Sequence, residues 1–311
     1  MENNWVDKCL EYYFSNQQNE AMGLIKHNLP GALYKYRPLN EYVIDNLTNN
    51  NLYLSSISDL NDPYECYPTM DLQEELYYSI TEKKEELKDR FGIVLSDVVL
   101  RQLRTAPDIV DKFNELFYSK EIRSTLREQL LLNKERIKRN AYDHWNTTLK
   151  VLFQPSFRLQ SFSERNDSTI MWSHYANQHK GICIEYDFRR FELRSPLFPV
   201  LYSDKRHVFK LENDDFKNTV KINQVLYHVM LTKALNWKYE EEWRLLYVMN
   251  KGLAVPKYIG APVPTKIYLG SNFESNDYIL AKELYKLAET KNIPLVQMTL
   301  HDTEYRMVPK R

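Results

Sequence analysis

Glycine is scarce in this chain, and the scarcity excludes two large classes of nucleotide-binding protein. The 311 residues include 7 glycines, at positions 23, 31, 92, 181, 252, 260 and 270. Neither G-x-G-x-x-G nor G-x-x-x-x-G-K-[ST] can be written with that spacing. A Rossmann dinucleotide-binding fingerprint and a Walker A phosphate loop are therefore both excluded.

Cysteine and long apolar segments are also lacking. The three cysteines, Cys9, Cys66 and Cys183, are far apart and odd in number, which fits neither a disulfide framework nor C-x-x-C metal spacing. The N-terminal residues have no basic segment followed by an apolar one, and no run of about 18 apolar residues occurs later. We therefore expect a cytoplasmic protein without a membrane-spanning segment.

The chain has no excess of charge of either sign. Lysine plus arginine and aspartate plus glutamate number 42 each, and the formal net charge is +0. No global field draws such a chain to nucleic acid or to an anionic membrane, so a nucleic-acid partner is not indicated. The hydrophobic fraction of 43% is sufficient for a folded core.

Helical and extended patterns are dispersed along the chain. Apolar spacing predicts a helix over residues 5–27, and strands are predicted around 32–37, 158–162, 181–187 and 242–249. Residues 71–150 have long charged stretches and leucine or isoleucine at intervals of four, which indicates helices. The predicted fold is one α+β domain over residues 1–311, with an antiparallel or mixed β-sheet core and a helical insertion over residues 71–150.

A basic strand segment, Tyr34-Lys35-Tyr36-Arg37, is the first candidate site. Alternation along a strand places Lys35 and Arg37 on one face and the two tyrosines on the other. The planar guanidinium of Arg37 is suited to a forked contact with a phosphate or a carboxylate. The structural alternative is an arginine paired with an acid at the edge of the core.

A second candidate segment follows Met171. His174 and His179 are five residues apart, which splays their rings by roughly 140° on a helix, so we expect no metal site. Residues 171–176 instead predict a short helix with Trp172 packed inward and His174 or Tyr175 facing a cleft. No G-x-S-x-G elbow accompanies the serines nearby.

Two carboxylates near residue 241 are the third candidate. Alternation at the start of a strand would place Glu240 and Glu242 on one face, with Glu241 and Trp243 on the other. Two like charges together are unfavourable without a specific reason. Catalysis is one such reason, and neutralisation of Glu242 by Arg244 at an exposed sheet end is the structural alternative.

Together these segments resemble a bacterial family catalogued as domain-of-unknown-function family 2971. That family has, in this order, a K-Y-R start, N-D-P-[YF]-E, F-S-E, M-W-x-H-Y-A-x-x-H-x-G and W-x-x-E-x-E-[WY]-R. All five occur here, at residues 35–37, 61–65, 162–164, 171–181 and 237–244. The resemblance spans about residues 33 to 272, with the helical insertion between the second and third motifs.

The order of the segments also resembles the ADP-ribosyltransferase superfamily. Arg37, Ser161-Phe162-Ser163 and Glu240-Glu241-Glu242 take the places of its basic strand, its serine strand and its E-x-E element. The resemblance implies an ADP-ribosyltransferase-like fold and an enzyme that uses NAD as substrate, without a metal. Such activities in bacteria often serve as toxins or in antiphage defence.

The same resemblance implies roles for individual residues. Catalysis falls to Glu242 or Glu240, which would hold the ribose and stabilise its developing cation, while Ser161 would support the sheet. The residues expected to bind NAD are Arg37, Lys35, Ser163, Trp172, His174 and Tyr175, with Trp172 or Tyr175 stacking on nicotinamide.

Two other functions are compatible with the sequence. One is a non-enzymatic module that senses a nucleotide or a protein partner, with the helical insertion as its contact surface. The other is a nuclease or hydrolase that uses Asp62, Glu65 and His174. The sequence leaves the oligomeric state and the acceptor of any transferred group open.

Overall fold

The computed structural model describes residues 4–67, 69–117, 157–192, 195–206, 208–209, 219–248, 256–275 and 277–310, together with positions 139, 143 and 147. The chain divides into two compact units. The first comprises Met1–Tyr67, Gln154–His207 and Leu211–Arg311, and the second comprises Pro68–Phe153 and Val208–Lys210.

The described strands and helices are numbered here in chain order. The strands are β1 (Leu33–Arg37), β2 (Asn51–Tyr53), β3 (Ser55–Ser56), β4 (Thr69–Met70), β5 (Phe157–Ser163), β6 (Ile182–Tyr186), β7 (Leu197–Pro199), β8 (Leu201–Ser203), β9 (Val208–Phe209), β10 (Thr232–Ala234), β11 (Glu242–Val248), β12 (Tyr258–Gly260), β13 (Lys266–Leu269), β14 (Leu295–Leu300) and β15 (Met307–Pro309). The helices are α1 (Asn4–Phe14), α2 (Gln18–Asn28), α3 (Glu41–Asn49), α4 (Leu72–Glu82), α5 (Lys84–Phe91), α6 (Asp97–Thr105), α7 (Ile109–Leu116), α8 (Thr169–Tyr175), α9 (Thr219–Leu231) and α10 (Tyr278–Thr290).

A mixed sheet forms the centre of the first unit. Its strand order is β15-β14-β13-β6-β1-β5-β11-β7, with β3 paired to β5. The β13–β14 pair is parallel, whereas β1 pairs antiparallel with both β6 and β5. The predicted α+β class with a mixed-sheet core is confirmed, and β1, β5 and β11 are neighbours in this sheet.

Apolar side chains cover both faces of this sheet. Along β6, Ile182 and Ile184 belong to one buried cluster, and Cys183 between them belongs to another. The first cluster includes residues of α3 and α10, and the second includes Trp172 of α8. The alternation of β6 therefore places helices on opposite faces, as a strand period of two requires.

The N-terminal segment differs from the sequence-based expectation. One helix was predicted over residues 5–27, but α1 ends at Phe14 and α2 begins at Gln18. Asn16, between them, has a φ of 61°, a left-handed conformation that a continuing helix does not allow. Asparagine tolerates this conformation better than most residues, so the break occurs at a polar turn.

The second unit is mostly helical over the part that the structure describes, with one short parallel strand pair, β4 and β9. Helices α4, α5, α6 and α7 contribute to one apolar cluster whose buried members are Leu76, Ile93, Leu95, Leu103, Ile109, Val110 and Phe113. Asp71, Ser96 and Asp108 cap the N-termini of α4, α6 and α7 by accepting backbone hydrogen bonds. The rest of the predicted insertion, residues 118–150, lies outside the described residues except for three positions.

A left-handed turn joins α8 to β6. Asn177, Gln178 and His179 have φ values of 47°, 55° and 66°, and Gly181 N donates to Ala176 O at 2.7 Å. A Cβ atom at Gly181 would lie 2.2 Å from Arg37 O. The chain therefore needs glycine there so that the turn can pack against the end of β1.

Replacing Gly181 tests this close approach. Gly181→Ala should lower the free energy of unfolding by at least about 2 kcal/mol, because the added methyl group meets backbone atoms that cannot rotate away. Gly23→Ala is the matched control, since Gly23 lies within α2 with nothing inside 4 Å of the new methyl group. It should stabilise the protein by about 0.5–1 kcal/mol. Urea denaturation measures both changes. Changes of the same sign in the two variants would contradict the close approach at Gly181.

Candidate functional site

A polar cleft opens where β1 and β5 separate. The two strands are in register at Tyr34 opposite Ser163. Further along, Lys35 Nζ donates to Ser161 O at 2.8 Å, so a side chain satisfies a carbonyl that a neighbouring strand would otherwise bond. The cleft has a volume of about 230 Å³, and its lining includes Lys35, Arg37, Ser161, Tyr175, Glu240 and Glu242.

A buried ionic network forms one side of this cleft. Its members are almost inaccessible to solvent, with exposed fractions of 6% for Glu65, 5% for Lys233, 3% for Glu240, 4% for Glu242 and 0% for Arg244. Burying five charged groups is unfavourable unless each is paired. The pairing in this network is therefore a condition for the fold.

Lys233 holds the two carboxylates that the sequence analysis singled out. Its Nζ lies 2.6 Å from Glu240 Oε2 and 2.8 Å from Glu242 Oε2, and 3.6 Å from Glu65 Oε1. Burial lowers the pKa of the Lys233 ammonium, but Glu242 and Glu240 raise it, and the net shift is upward. Lys233 is therefore cationic at neutral pH.

Arg244 completes the network from the next inward position of β11. Its Nε donates to Glu242 Oε1 at 2.8 Å, and Nη2 contacts Glu65 Oε1. Nη1 donates to the backbone carbonyl of Met230. The expected pairing of Arg244 with Glu242 is present, but in the interior of the protein and not at an exposed sheet end.

Glu240 and Glu242 come together by a different route from the predicted strand alternation. Glu240 ends a 3₁₀ helix, Leu235–Glu240, and β11 begins only at Glu242. Glu241 between them has a φ of 43°, in the left-handed region. The prediction from strand alternation is thus wrong for Glu240. The left-handed conformation of Glu241 allows both neighbouring carboxylates to contact Lys233, whereas Glu241 Oε1 itself lies 3.5 Å from Arg165 Nη1.

Tyr175 connects the network to the open part of the cleft. Its hydroxyl donates to Glu240 Oε1 at 2.6 Å and accepts from Asn61 Nδ2 at 3.2 Å. Burial, and then the Glu240 carboxylate, raise the pKa of the Tyr175 phenol. The phenol therefore remains protonated and serves as a hydrogen-bond donor to Glu240.

Lys35 and Arg37 form a separate basic group without an acidic partner. Neither has an acidic side chain within 4.0 Å among the residues that the structure describes. Burial, and then the neighbouring Arg37, lower the pKa of Lys35 to about 7. Burial also lowers the pKa of Arg37, although a guanidinium stays charged at neutral pH. These two side chains are available to an anionic ligand.

The two predicted serines lie beside the carboxylates. Ser161 lines the cleft, and its side chain acts to lower the pKa of the Glu242 carboxyl. Burial acts more strongly in the other direction, and the pKa of Glu242 is raised overall. Ser163 is buried, and its hydroxyl donates to Glu240 O at 2.6 Å. Ser163 therefore fixes the backbone that carries Glu240.

The structure places Trp172 and His174 away from the cleft lining. Trp172 is completely buried, donates from Nε1 to Asn166 O at 2.8 Å and meets Tyr36 edge-on at 5.3 Å between ring centroids. The predicted inward packing of Trp172 is confirmed, and that burial leaves no ring face for a ligand to stack on. His174 is exposed on α8, with its ring beside Tyr175 and Tyr239.

Lys233 carries no signal that sequence reasoning used, and Glu65 entered it only in a motif and in the hydrolase alternative. Lys233 lies on β10, which follows the end of α9 at Leu231 and pairs with β8. Glu65 belongs to the N-D-P-Y-E motif, for which a turn explains most residues: Asp62 Oδ1 indeed accepts from Tyr64 N at 2.9 Å. The two neighbouring carboxylates, Glu240 and Glu242, were the only available indication that a lysine must lie beside them.

Metal-ligand clusters and membrane-spanning helices are both absent from the described part of the chain. Within it, no group of three or more histidine, cysteine, aspartate or glutamate side chains is arranged to hold a metal ion. None of its helices combines the length and the apolar character needed to cross a bilayer.

Comparison with known proteins gives one match. Residues 171–245 match a family described as Protein of unknown function (DUF2971). This segment contains the residue 171–181 and 237–244 motifs, and so supports the resemblance to that family. No curated protein and no solved structure matches the chain. The finer resemblance to ADP-ribosyltransferases therefore has no support from these comparisons.

Removing the central ammonium tests the ionic network. Lys233→Met should lower the free energy of unfolding at pH 7 by about 3–5 kcal/mol, because buried carboxylates lose their counterion. Lys238→Met, at an exposed position five residues on, should change it by less than about 0.5 kcal/mol.

The pH dependence of the stability deficit of Lys233→Met distinguishes the loss of charge pairing from the loss of packing. Without Lys233 the pKa of the folded-state Glu242 carboxyl, which burial already raises, rises further above its unfolded value, so folding is penalised at neutral pH and the penalty vanishes below about pH 4. The deficit should therefore shrink as the pH falls from 7 to 4. A deficit that is constant over this range in urea titrations would indicate lost packing instead.

Proposed function

We propose that the cleft binds NAD and cleaves its nicotinamide N-glycosidic bond, passing the ADP-ribosyl group to a macromolecule or to water. The bonding pair leaves with the nicotinamide nitrogen and neutralises its positive charge. The ribose carbon passes through an oxocarbenium-like state before the acceptor adds. The supporting observation is that an unpaired guanidinium and a carboxylate pair line one cleft.

Charge balance in the network favours Glu240 as the stabilising carboxylate. Among the described residues in direct ion-pair contact, Glu65, Glu240 and Glu242 supply three negative charges against the two positive charges of Lys233 and Arg244. One negative charge is therefore in excess. A fixed carboxylate stabilises an oxocarbenium-like transition state in glycoside cleavage, and preorganised charge is effective in a site that excludes water.

Glu240 is also paired with fewer cations than Glu242. Glu242 is held by Lys233 and by two nitrogens of Arg244. Glu240 is held by Lys233 and by the Tyr175 hydroxyl. We therefore assign the electrostatic role to Glu240, positioned by Tyr175, and the role of structural counterion mainly to Glu242.

The unpaired Arg37 is suited to the diphosphate. A guanidinium without an acidic partner can form a forked, charge-assisted contact with phosphate oxygens. The cleft volume of about 230 Å³ is just below the range of about 300–1,000 Å³ for small-molecule sites. The cleft would therefore enclose the nicotinamide riboside part, with the rest of NAD extending beyond it.

Substitution of Glu240 tests the catalytic step. Glu240→Gln should lower kcat for nicotinamide release by at least about 100-fold, the scale of one preorganised electrostatic contact, with NAD affinity retained. Glu241→Gln is the matched control, because Glu241 is the adjacent, solvent-accessible carboxylate. Chromatographic assay of nicotinamide measures the rates, and thermal unfolding verifies that both variants fold. Equal rates in wild type and Glu240→Gln would reject the carboxylate role.

Substitution of Arg37 tests the binding step. Arg37→Gln should raise KM and weaken NAD binding in calorimetry by about 10-fold or more, with a smaller effect on kcat, because a phosphate contact is present in both ground and transition states. Arg190→Gln, at an exposed position, should leave both unchanged. Absence of NAD binding by the wild-type protein would overturn the proposal.

A second candidate function is a non-enzymatic binding module. The extensive pairing of the carboxylates favours this function. Glu65 and Glu242 are already in ion pairs, which is typical of carboxylates with a structural role and not of catalytic ones. In that case NAD or another anionic nucleotide would bind through Arg37 without nicotinamide release. The two assays above separate these functions.

A further inference from the structure

Lys35 is the charged side chain in the cleft that the proposed reaction does not need. It projects from β1 into the space left by the separation of β1 and β5, and it is half-buried there. Its Nζ donates to Ser161 O at 2.8 Å. The Gln160 amide, oriented to satisfy both of its neighbours, accepts from the same nitrogen at 3.0 Å and donates to Tyr53 O.

These contacts fit an uncharged amine. An ammonium group has three N–H donors and no lone pair, whereas a neutral amine has two N–H donors and one lone pair. Two neutral acceptors, a carbonyl and an amide oxygen, therefore use both donors of the neutral form. Among the described residues no carboxylate lies within ion-pair distance to hold the charged form.

The nearby cations act in the same direction. Arg37, two residues along the same strand, is a cation on the same side, and Lys233 adds a further repulsive contribution. Glu242 and Glu240 act in the opposite direction but more weakly than burial and Arg37. An amine that is desolvated and placed next to another cation is the arrangement that activates lysine as a nucleophile.

We propose that Lys35 forms an imine with the aldehyde or ketone group of a small phosphorylated compound, with Arg37 holding the phosphate. The neutral Nζ attacks the carbonyl carbon to give a carbinolamine. Both protons of the amine then leave with the carbonyl oxygen as water, and a C=N bond replaces the C=O bond. The step needs no oxidant, and it does not depend on the cleavage of NAD.

Pyridoxal 5′-phosphate is a suitable probe because it carries both an aldehyde and a phosphate. The full-length protein would be treated with a small amount of the probe at pH 7, reduced with borohydride and mapped by peptide mass spectrometry. An ordinary lysine with a pKa of about 10.4 is neutral in roughly one molecule in 2,500 at this pH. Lys35 should therefore be labelled at least about 100-fold faster than the exposed Lys238.

The pH profile gives a readout that does not require a variant. Labelling of Lys35 should reach half of its maximal rate near pH 7, in line with its lowered pKa of about 7, whereas an ordinary exposed lysine is labelled faster still at pH 9. A Lys35 profile that matches the Lys238 profile would overturn the proposal. This outcome is separate from the NAD assays, because either result is possible with or without nicotinamide release.

Variants test the two roles separately. Lys35→Met should abolish labelling at this strand and leave labelling of Lys238 unchanged. Arg37→Gln should remove the preference for pyridoxal 5′-phosphate over pyridoxal, which we expect to be about 10-fold or more in the wild type. Equal labelling of Lys35 by both probes in the wild-type protein would reject the phosphate-binding role of Arg37.

Discussion

The ion pairs of Lys233 with Glu240 and Glu242 are the interaction on which the organisation of the cleft depends. One ammonium, reached from β10, holds a carboxylate at the end of a 3₁₀ helix and another at the start of β11. The left-handed residue between them is tolerated because this pairing fixes both neighbours. Breaking a buried pair is far more costly than breaking an exposed one, so the network constrains the register of β11 against β5 as well as the local charge.

The second constraint is the separation of β1 from β5. A regular antiparallel ladder would close the sheet at this point and leave no room for a ligand. Lys35 Nζ instead donates to Ser161 O, so this backbone carbonyl keeps a hydrogen bond although the strands diverge. Gly181 contributes to the same geometry, because its missing side chain lets the turn after α8 approach the carbonyl of Arg37. The family motif M-W-x-H-Y-A-x-x-H-x-G therefore has a largely structural explanation here.

Much of the sheet could be predicted from the sequence, because period-two patterns identify strands one at a time. The strands that carry Lys35, Ser161 and Glu242 were each predicted in this way, and the structure places them side by side. The role of Lys233 could not be predicted in the same way, since nothing in a local pattern distinguishes a lysine on a helix end from one buried against two carboxylates. Trp172 illustrates the converse: an aromatic residue in a motif indicated a ligand contact as readily as a core position, and burial alone distinguishes them.

The charges of the cleft define the ligand better than its shape does. On one side three carboxylates are almost neutralised by two cations, with one negative charge in excess at Glu240 and Tyr175. On the other side Arg37 and Lys35 have no acidic partner among the described residues. A ligand that complements both sides must combine an anionic group with a centre that is electron-poor or becomes so during reaction. A nucleotide with a cationic leaving group and a phosphorylated carbonyl compound both meet this requirement, and they differ in whether the electron-poor carbon faces the carboxylate or the amine.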